Sequence, residues 1–432
     1  MKIDYKSLII LSQKLFQAVA GLITLYFIAH FLSPTEQGYY YTFASLAALQ
    51  TLLEMGLSTI LVQQSAHEFV HLEWLTKGKL LGQSRQRFLG LVKKSFCWYG
   101  LAALIFLLAY PGGFWFFAEP SLDSNFAWQN PWLLLVISTA FNLAILPFLA
   151  LVEGSGRIVD VYLLRLLQSF SGALATWLVL LNGGGLYAVA MMPLLSGLLA
   201  LIWIFWRYPF LLIKAFLQSG DGFDWRSEVW PLQWRLGVSW LCGYALTQIH
   251  TPLLFKTQNP IVSGQMGLTL TFCNMLGILS LAWMTSRIPL LAKAASQRNW
   301  TLLDAEFNLG FRRSFGLFLL GAVAFIGLRY LAEFTVYGIR FLPFYETVGL
   351  VVSTLFIHVS GLFAVYLRAH RKEPFLWLSI STALLTAGLA VLVAPHWGAA
   401  GIVSVLLLVN VGFGFPVSFF MWRKLSALWH SN

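Results

Sequence analysis

Charged side chains are scarce in this chain: Asp, Glu, Lys and Arg together make up 10% of it, against about 25% in ordinary globular domains. With 58% of its residues hydrophobic, it lacks the polar surface of a water-soluble body, and that class is excluded. Cysteine is almost absent. Cys97, Cys242 and Cys273 form an odd set inside apolar stretches, which gives neither a disulfide framework nor a zinc spacing. There is no Gly-x-x-x-x-Gly-Lys-Ser/Thr loop, so ATP hydrolysis through that phosphate cradle is excluded. A Ser/His/Asp arrangement on a supporting scaffold and an Asp-rich metal loop are also missing. The sequence predicts no enzyme, no metal and no cofactor.

Long apolar runs are what it has in quantity. A helix of about 20 apolar residues crosses a bilayer core of about 30 Å. Twelve such stretches can be read, at about 8–32, 39–64, 92–117, 131–152, 158–181, 185–206, 234–255, 262–286, 311–331, 343–367, 375–394 and 398–422. Lys and Arg gather in every second gap. They are Lys2 and Lys6; Lys77, Lys79, Arg85, Arg87, Lys93 and Lys94; Arg157; Arg207, Lys214 and Arg226; Lys293, Arg298, Arg312 and Arg313; Arg368, Arg371 and Lys372; Arg423 and Lys424. The alternate gaps hold only Lys256 and Arg340, so the count is 21 against 2. The basic side, with both termini, is therefore expected to be cytoplasmic. Ala18-Val19-Ala20 looks like a signal-peptidase site, but apolar character runs on to Phe31, and a retained first helix is expected. Trp115, Trp128 and Trp132 suit an outer interfacial belt; Trp206, Trp225, Trp230 and Trp234 suit an inner one.

The net charge of +11 does not point to nucleic acid, because topology accounts for most of it. Inner gaps hold 21 basic and 11 acidic residues; outer gaps hold 2 basic and 5 acidic, namely Glu36, Glu119, Asp123, Glu333 and Glu346. Membrane lipids, anionic ones above all, are the expected partners of the inner loops. The remainder lies within the apolar stretches: Lys14, Arg165, Arg235, Arg287 and Arg329 against Glu54, a balance of +4. A charge at the bilayer centre costs about 2.5–3.5 kcal/mol on insertion scales, so such groups face protein or water.

These residues are the candidate site. Glu54 shares a helical face with Gln50 and Ser58, at i, i+4 and i+8. It is expected either to pair with Lys14 or Arg165, or to line a cavity where it can exchange a proton. Lys14, flanked by Gln13 and Gln17, can snorkel to the inner surface or face the same cavity. Arg165 is expected to pair with Glu54 or Asp160, or to touch cargo. Arg235 and Arg287 sit at the inner ends of segments seven and eight, where each can bind lipid phosphate. Arg329 is expected to snorkel outward, and His30, His250 and His358 to be packing residues. Gln248, Gln265 and Asn274 are expected to bridge helices or hydrogen-bond sugar hydroxyls.

The chain divides evenly into residues 1–207 with segments one to six, a cytoplasmic linker 208–232, and 233–432 with segments seven to twelve. Within the inner gap 67–91 a helix lying on the leaflet is expected, and the same for Tyr208–Leu217. Pro34-x-x-x-Gly38 and Pro260-x-x-x-Gly264 fall at the same outer turn of each half, which suggests a parallel internal repeat.

Residues 31–68, FLSPTEQGYYYTFASLAALQTLLEMGLSTILVQQSAHE, carry a more specific pattern. Leu32, Pro34, Gly38 and Tyr39 lead a second helix bearing Glu54, Gly56 and Leu57. This resembles the opening of bacterial lipid-linked oligosaccharide flippases of the multidrug/oligosaccharidyl-lipid/polysaccharide exporter (MOP) superfamily, and residues 233–272 resemble a branch of that group. The resemblance implies an all-α membrane protein in the bacterial cytoplasmic (inner) membrane, with two six-helix lobes around a central cavity. It implies that segments one, two, seven and eight line that cavity, which brings Lys14, Glu54, Arg235 and Arg287 to it. It implies a lipid-linked oligosaccharide, with undecaprenyl pyrophosphate as the usual carrier, moved by alternating access for surface polysaccharide biosynthesis. A polysaccharide polymerase or export machinery would be a partner, and H+ or Na+ coupling is compatible with it. Two other readings stand beside this one. A drug/cation antiporter of the same superfamily should concentrate carboxylates in its cavity. A membrane polymerase or ligase should present a large outer loop with basic and His residues, whereas the outer gaps here are short and acidic.

Overall fold

The computed structural model describes residues 5–118, 127–217, 222–370, 372 and 374–430. Lys2, Asp4, Glu119, Asp123, Asp221, Arg371 and Glu373, which entered the charge count, lie outside them. The architecture is α-helical apart from one short hairpin. Segment one is a single helix, α1 (Tyr5–Phe31), while segment two is three pieces, α2 (Pro34–Ala47), α3 (Gln50–Glu54) and α4 (Leu57–Glu68). Segment three is α5 (Arg85–Leu107) continued by α6 (Ala109–Phe117). Segments four to six are α7 (Gln129–Gly154), α8 (Ile158–Leu181) and α9 (Ala188–Arg207). Two short helices follow, α10 (Pro209–Leu217) and α11 (Trp225–Glu228). Segment seven is α12 (Trp230–Thr247) and α13 (His250–Thr257); segment eight is α14 (Pro260–Thr285), with α15 (Ile288–Ser296) behind it. Then come α16 (Trp300–Glu333), α17 (Phe344–Arg368), α18 (Leu376–Leu407), a π-helical turn over Leu408–Gly414, and α19 (Phe415–His430).

Among the described residues, nine helices are long and apolar enough to cross a membrane, or ten if the bent pair Pro34–Glu54 and Leu57–His71 is one crossing. One of the nine runs 55 residues, from Leu376 to His430, and is interrupted at Gly398 (φ +53°). At about 1.5 Å per residue such a run exceeds twice a bilayer core, so it accommodates segments eleven and twelve. Segment seven is the remaining expected span; it is split at Gln248 and Ile249, and neither piece qualifies alone.

The chain forms two compact units, Met1–Leu32 with Phe43–Leu241, and Ser33–Thr42 with Cys242–Asn432. In the first, α7 is central: 72% of its most apolar stretch is buried, against 22–39% for the corresponding stretches of the other spans of that unit. Missing side chains let its neighbours approach. A Cβ on Gly154 would stand 2.2 Å from the Val62 carbonyl oxygen, and Ser65 Oγ donates to the Leu151 carbonyl at 2.6 Å. In the second unit α14 packs between α13, α16 and α17, and Met284, Leu291, Phe307, Leu362 and Leu367 form a buried cluster toward the inner ends.

The two Pro-x-x-x-Gly turns meet within this second unit. A Cβ on Gly38 would lie 1.9 Å from the Pro260 carbonyl oxygen, and one on Gly264 would lie 2.8 Å from Gly38 N. Both positions therefore need glycine because two backbones touch there. Around that contact Gln37 Nε2 donates to the Gly264 and Arg340 carbonyls, each at 2.9 Å. Thr42 Oγ1 and Ser263 Oγ share a hydrogen bond of 2.9 Å.

Residues 67–91 do not form the helix expected of them. Leu72–Trp74 (β1) and Leu80–Gly82 (β2) pair antiparallel, Leu72 opposite Gly82 and Trp74 opposite Leu80. Lys77 (φ +57°) and Gly78 (φ +75°) turn the chain left-handed between the strands, which a helix cannot contain. Trp74 Nε1 donates to Ser155 Oγ at 2.9 Å. Pro209–Leu217 is helical as expected. Beyond it, the linker is tied to the first unit: Arg87 Nε donates to Glu68 Oε1 at 2.6 Å, and Arg87 Nη2 also contacts Glu228.

Candidate transport site

Segment two breaks at the sequence pattern Glu54-Met55-Gly56-Leu57. Met55 (φ +53°) and Gly56 (φ +67°) are both left-handed, and α4 starts again at Leu57. Gly56 is required twice over, since its φ suits glycine and a Cβ would stand 2.5 Å from Trp240 Nε1. Glu54 lies just before the break, half-buried. Its Oε1 accepts from Ser58 N at 3.3 Å and from Tyr99 Oη at 3.3 Å. Because Ser58 is in the first turn of α4, the carboxylate sits where an unsatisfied N–H and the positive end of the helix favour it. Neither of the ion pairs expected for Glu54 is formed. It caps a broken helix instead.

Arg165 also differs from expectation. Its guanidinium pairs with Glu153 Oε2 at 2.8 Å and stands 5.0 Å from the centre of the Tyr162 ring, rather than meeting Glu54 or Asp160. Asp160 instead lies 3.9 Å from Arg157. Glu153 belongs to α7, and the tight turn at Gly156 brings α7 and α8 antiparallel, so residues 12 apart in sequence face each other. Lys14 and Gln17 are exposed on α1, and Gln50 is half-buried on α3. Arg235 is exposed on α12, its guanidinium 5.6 Å from the Trp234 ring centre. Lys14 and Arg235 have no carboxylate within ion-pair distance among the described residues.

In the second unit Arg287 pairs with Glu306 of α16, the two side chains 16% and 23% exposed, so this cation is largely compensated. Its Nε is buried with no protein acceptor. Arg329 does not snorkel: it is buried, donating through Nε to the Leu342 carbonyl at 2.8 Å and through Nη1 to Glu333 at 3.1 Å. Gln265 Nε2 donates to the Ile339 carbonyl at 3.0 Å, bridging α14 to the outer turn. Gln248 falls in the break of segment seven and Asn274 is half-buried on α14. His250 Nε2 lies 3.1 Å from the Leu246 carbonyl, and His358 Nε2 lies 3.0 Å from Ser314 Oγ, both internal packing contacts.

The site residues thus fall into two groups, Lys14, Gln17, Gln50, Glu54, Arg165 and Arg235 in one unit and Gln248, Gln265, Asn274 and Arg287 in the other. The membrane balance of +4 is also smaller than the sequence suggested. Glu153, Glu306 and Glu333, all assigned to loops, are partners of three of the five cations. Among the described residues, what remains uncompensated is Lys14 and Arg235.

No family model matches the sequence, and no curated protein matches it. Solved structures do. One described as the lipid II flippase MurJ in an inward closed conformation superposes with a TM-score of 0.60 at 14% identity, over 96% of this chain and 88% of that one. An inward-facing multidrug resistance MATE family transporter of the MOP superfamily gives 0.61 at 13% identity, over 97% and 99%. A MOP superfamily transporter from Pyrococcus furiosus, described as having a binding pocket of reverse polarity, gives 0.54 at 13%, over 98% and 94%. The chain has the fold of these transporters. At such identities the likeness establishes the multi-pass architecture, and cargo has to be argued from the residues.

Proposed function

We propose that this chain moves a lipid-linked oligosaccharide from the inner to the outer leaflet of the bacterial cytoplasmic membrane by alternating access. The carrier we infer is a polyprenyl pyrophosphate such as undecaprenyl pyrophosphate, and the pathway surface polysaccharide biosynthesis. A polymerase or export machinery then receives the product. The observation that carries this reading is the uncompensated pair of cations, Lys14 on α1 and Arg235 on α12, in a chain whose other membrane cations are neutralised. An ionised diphosphate gives each of them a charge-assisted hydrogen bond, while the lipid tail stays in the bilayer. The likeness to a fold that includes a lipid II flippase supports a lipid-linked cargo.

A second reading, export of cationic drugs, is favoured by Glu54, a carboxylate with no cation beside it among the described residues. The same carboxylate is where H+ or Na+ coupling would act in either case. Substitution at Arg235 separates the two. Lys keeps the charge but loses the planar fork that meets a phosphate bidentately, so flippase activity should fall in the order wild type, Arg235→Lys, Arg235→Ala. A charge-assisted bond is worth about 1.5–3 kcal/mol, so Arg235→Ala should weaken cargo affinity roughly tenfold to a hundredfold. Arg287→Ala alone would also strand the Glu306 carboxylate. The pair Arg287→Gln with Glu306→Gln should therefore restore protein yield. If Arg235→Ala exports surface polysaccharide normally at equal protein levels, the cationic cargo site is wrong.

A further inference from the structure

The first unit holds a cavity where α5 meets the end of the linker, lined by none of the cargo cations. It measures about 500 Å³ and is lined by Lys94, Trp98, Asp224, Trp225, Arg226 and Trp230, all within that unit. Pockets for small molecules run to about 300–1,000 Å³. Lys94 and Trp98 stand one turn apart on α5 and share a face. Trp98 Nε1 donates to the Leu53 carbonyl at 3.3 Å, which sets its ring beside the break in segment two. The Trp225 ring lies 6.3 Å from that of Trp98 with planes 22° apart, and the Trp230 ring lies 6.4 Å away at 57°. The linker wall is fixed in place. Lys94 Nζ donates to the Phe223 carbonyl, Gln64 Nε2 donates to the Glu228 carbonyl, and Arg87 holds the Glu228 side chain.

Interfacial anchoring accounts for single indoles at a membrane surface, but it asks each of them to face lipid. These three gather around one another and around charged groups of both signs. Asp224 stays an ionised acceptor, because the Ser227 hydroxyl at 2.7 Å and the Arg226 amide at 3.1 Å hold its carboxyl below the usual range. Arg226 is exposed, and among the described residues its guanidinium meets no carboxylate. The indole N–H groups of Trp225 and Trp230 likewise meet no acceptor among the described residues. This set of groups narrows the ligand. A phosphate only accepts hydrogen bonds, and Asp224 repels it. A quaternary ammonium suits an aromatic box, but Lys94 and Arg226 oppose it and it offers Asp224 no hydrogen bond. A sugar ring meets every group present. Its C–H faces are apolar, and its hydroxyls donate to Asp224 while accepting from Lys94, Arg226 and the indole N–H groups.

We propose that this cavity is a carbohydrate subsite that receives a sugar ring of the cargo, stacked in the box of Trp98, Trp225 and Trp230, with Asp224 and Arg226 holding its hydroxyls. The assignment to cargo rests on the lipid-linked reading above. Arg235, proposed there for the diphosphate, lies five residues beyond Trp230 on α12, about 7.5 Å along the axis. The full-length protein in nanodiscs is mixed with the methyl glycosides of glucose, N-acetylglucosamine and glucuronic acid, and saturation-transfer NMR detects contact with their ring protons. At least one glycoside should show transfer from the wild type. Trp225→Leu keeps an apolar side chain but loses the flat face, so the affinity for that glycoside should fall about tenfold. Asp224→Asn keeps the helix cap but loses the charged acceptor, so a several-fold fall is expected. No transfer to any of the three glycosides, or transfer unchanged in stably folded Trp225→Leu, overturns the proposal. Displacement of the glycoside by tetramethylammonium also overturns it, since the box is then a cation cage. The lipid-linked reading is judged separately, in liposomes, by the transfer of undecaprenyl pyrophosphate with and without its oligosaccharide. Trp225→Leu should lower the ratio of the first rate to the second. An unchanged ratio with glycoside binding lost overturns the assignment to cargo. A wild type that moves neither lipid while binding the glycoside refutes the lipid-linked cargo and leaves the sugar site standing.

Discussion

A chain carrying Thr42→Cys and Ser263→Cys, with Cys97, Cys242 and Cys273 replaced by Ala, should lose transport on oxidation and regain it with dithiothreitol. The two hydroxyl oxygens are 2.9 Å apart, close enough for sulfur atoms to reach a bond of about 2.05 Å with little backbone movement. The chain passes from one compact unit to the other between Thr42 and Phe43. The expectation is that transport opens the contact between the outer start of segment two and α14, both in the second unit, and the cross-link forbids this. Transport in the oxidised state should fall to the level of protein-free membranes. An oxidised, fully cross-linked protein that transports at the wild-type rate would show that this contact never opens in the cycle.

The second large effect is expected at the break in segment two. Gly56→Ala forces a side chain onto φ +67° and places its Cβ 2.5 Å from Trp240 Nε1. The backbone term costs roughly 1–2 kcal/mol and the overpacking about 1–3 kcal/mol. Thermal unfolding in detergent should therefore come at a clearly lower temperature than for Gly100→Ala, whose added Cβ meets nothing within 4 Å. Adding Trp240→Ala should recover the steric part and leave the backbone part. Equal unfolding temperatures for Gly56→Ala and wild type would mean that segment two is a continuous helix. Glu54 is separable from this: Glu54→Gln keeps an acceptor for Ser58 N–H but cannot titrate, so loss of transport in a stable Glu54→Gln protein would support the ion-coupling role proposed for this carboxylate.

Apolar length and the alternation of basic gaps made the membrane architecture readable, because both follow from the bilayer and need no tertiary contact. The Pro34/Gly38 and Pro260/Gly264 pair suggested a repeat and gave no sign of a contact, since sequence alone cannot say that two turns touch. The break at Met55 and Gly56 was not legible, because the apolar run over 39–64 continues through it as one segment. The hairpin at Leu72–Gly82 was missed because its strands are three residues each, too short for alternation to stand out from a helical pattern. The true partners of Arg165 and Arg287 escaped notice because Glu153 and Glu306 lie across helix turns, 12 and 19 residues away, and the expected segments stopped short of both acids, whereas α7 and α16 include them.

The central claim is that the protein carries an anionic lipid-linked cargo between leaflets, and reconstitution tests it most directly. Purified protein in liposomes is given a fluorescent undecaprenyl-pyrophosphate oligosaccharide confined to one leaflet, and a membrane-impermeant quencher reports its arrival in the other. The account predicts protein-dependent transfer that is reduced by Arg235→Ala and abolished by the oxidised Thr42→Cys/Ser263→Cys pair. Transfer no faster than in protein-free liposomes, with the same preparation exporting a cationic dye, would contradict it.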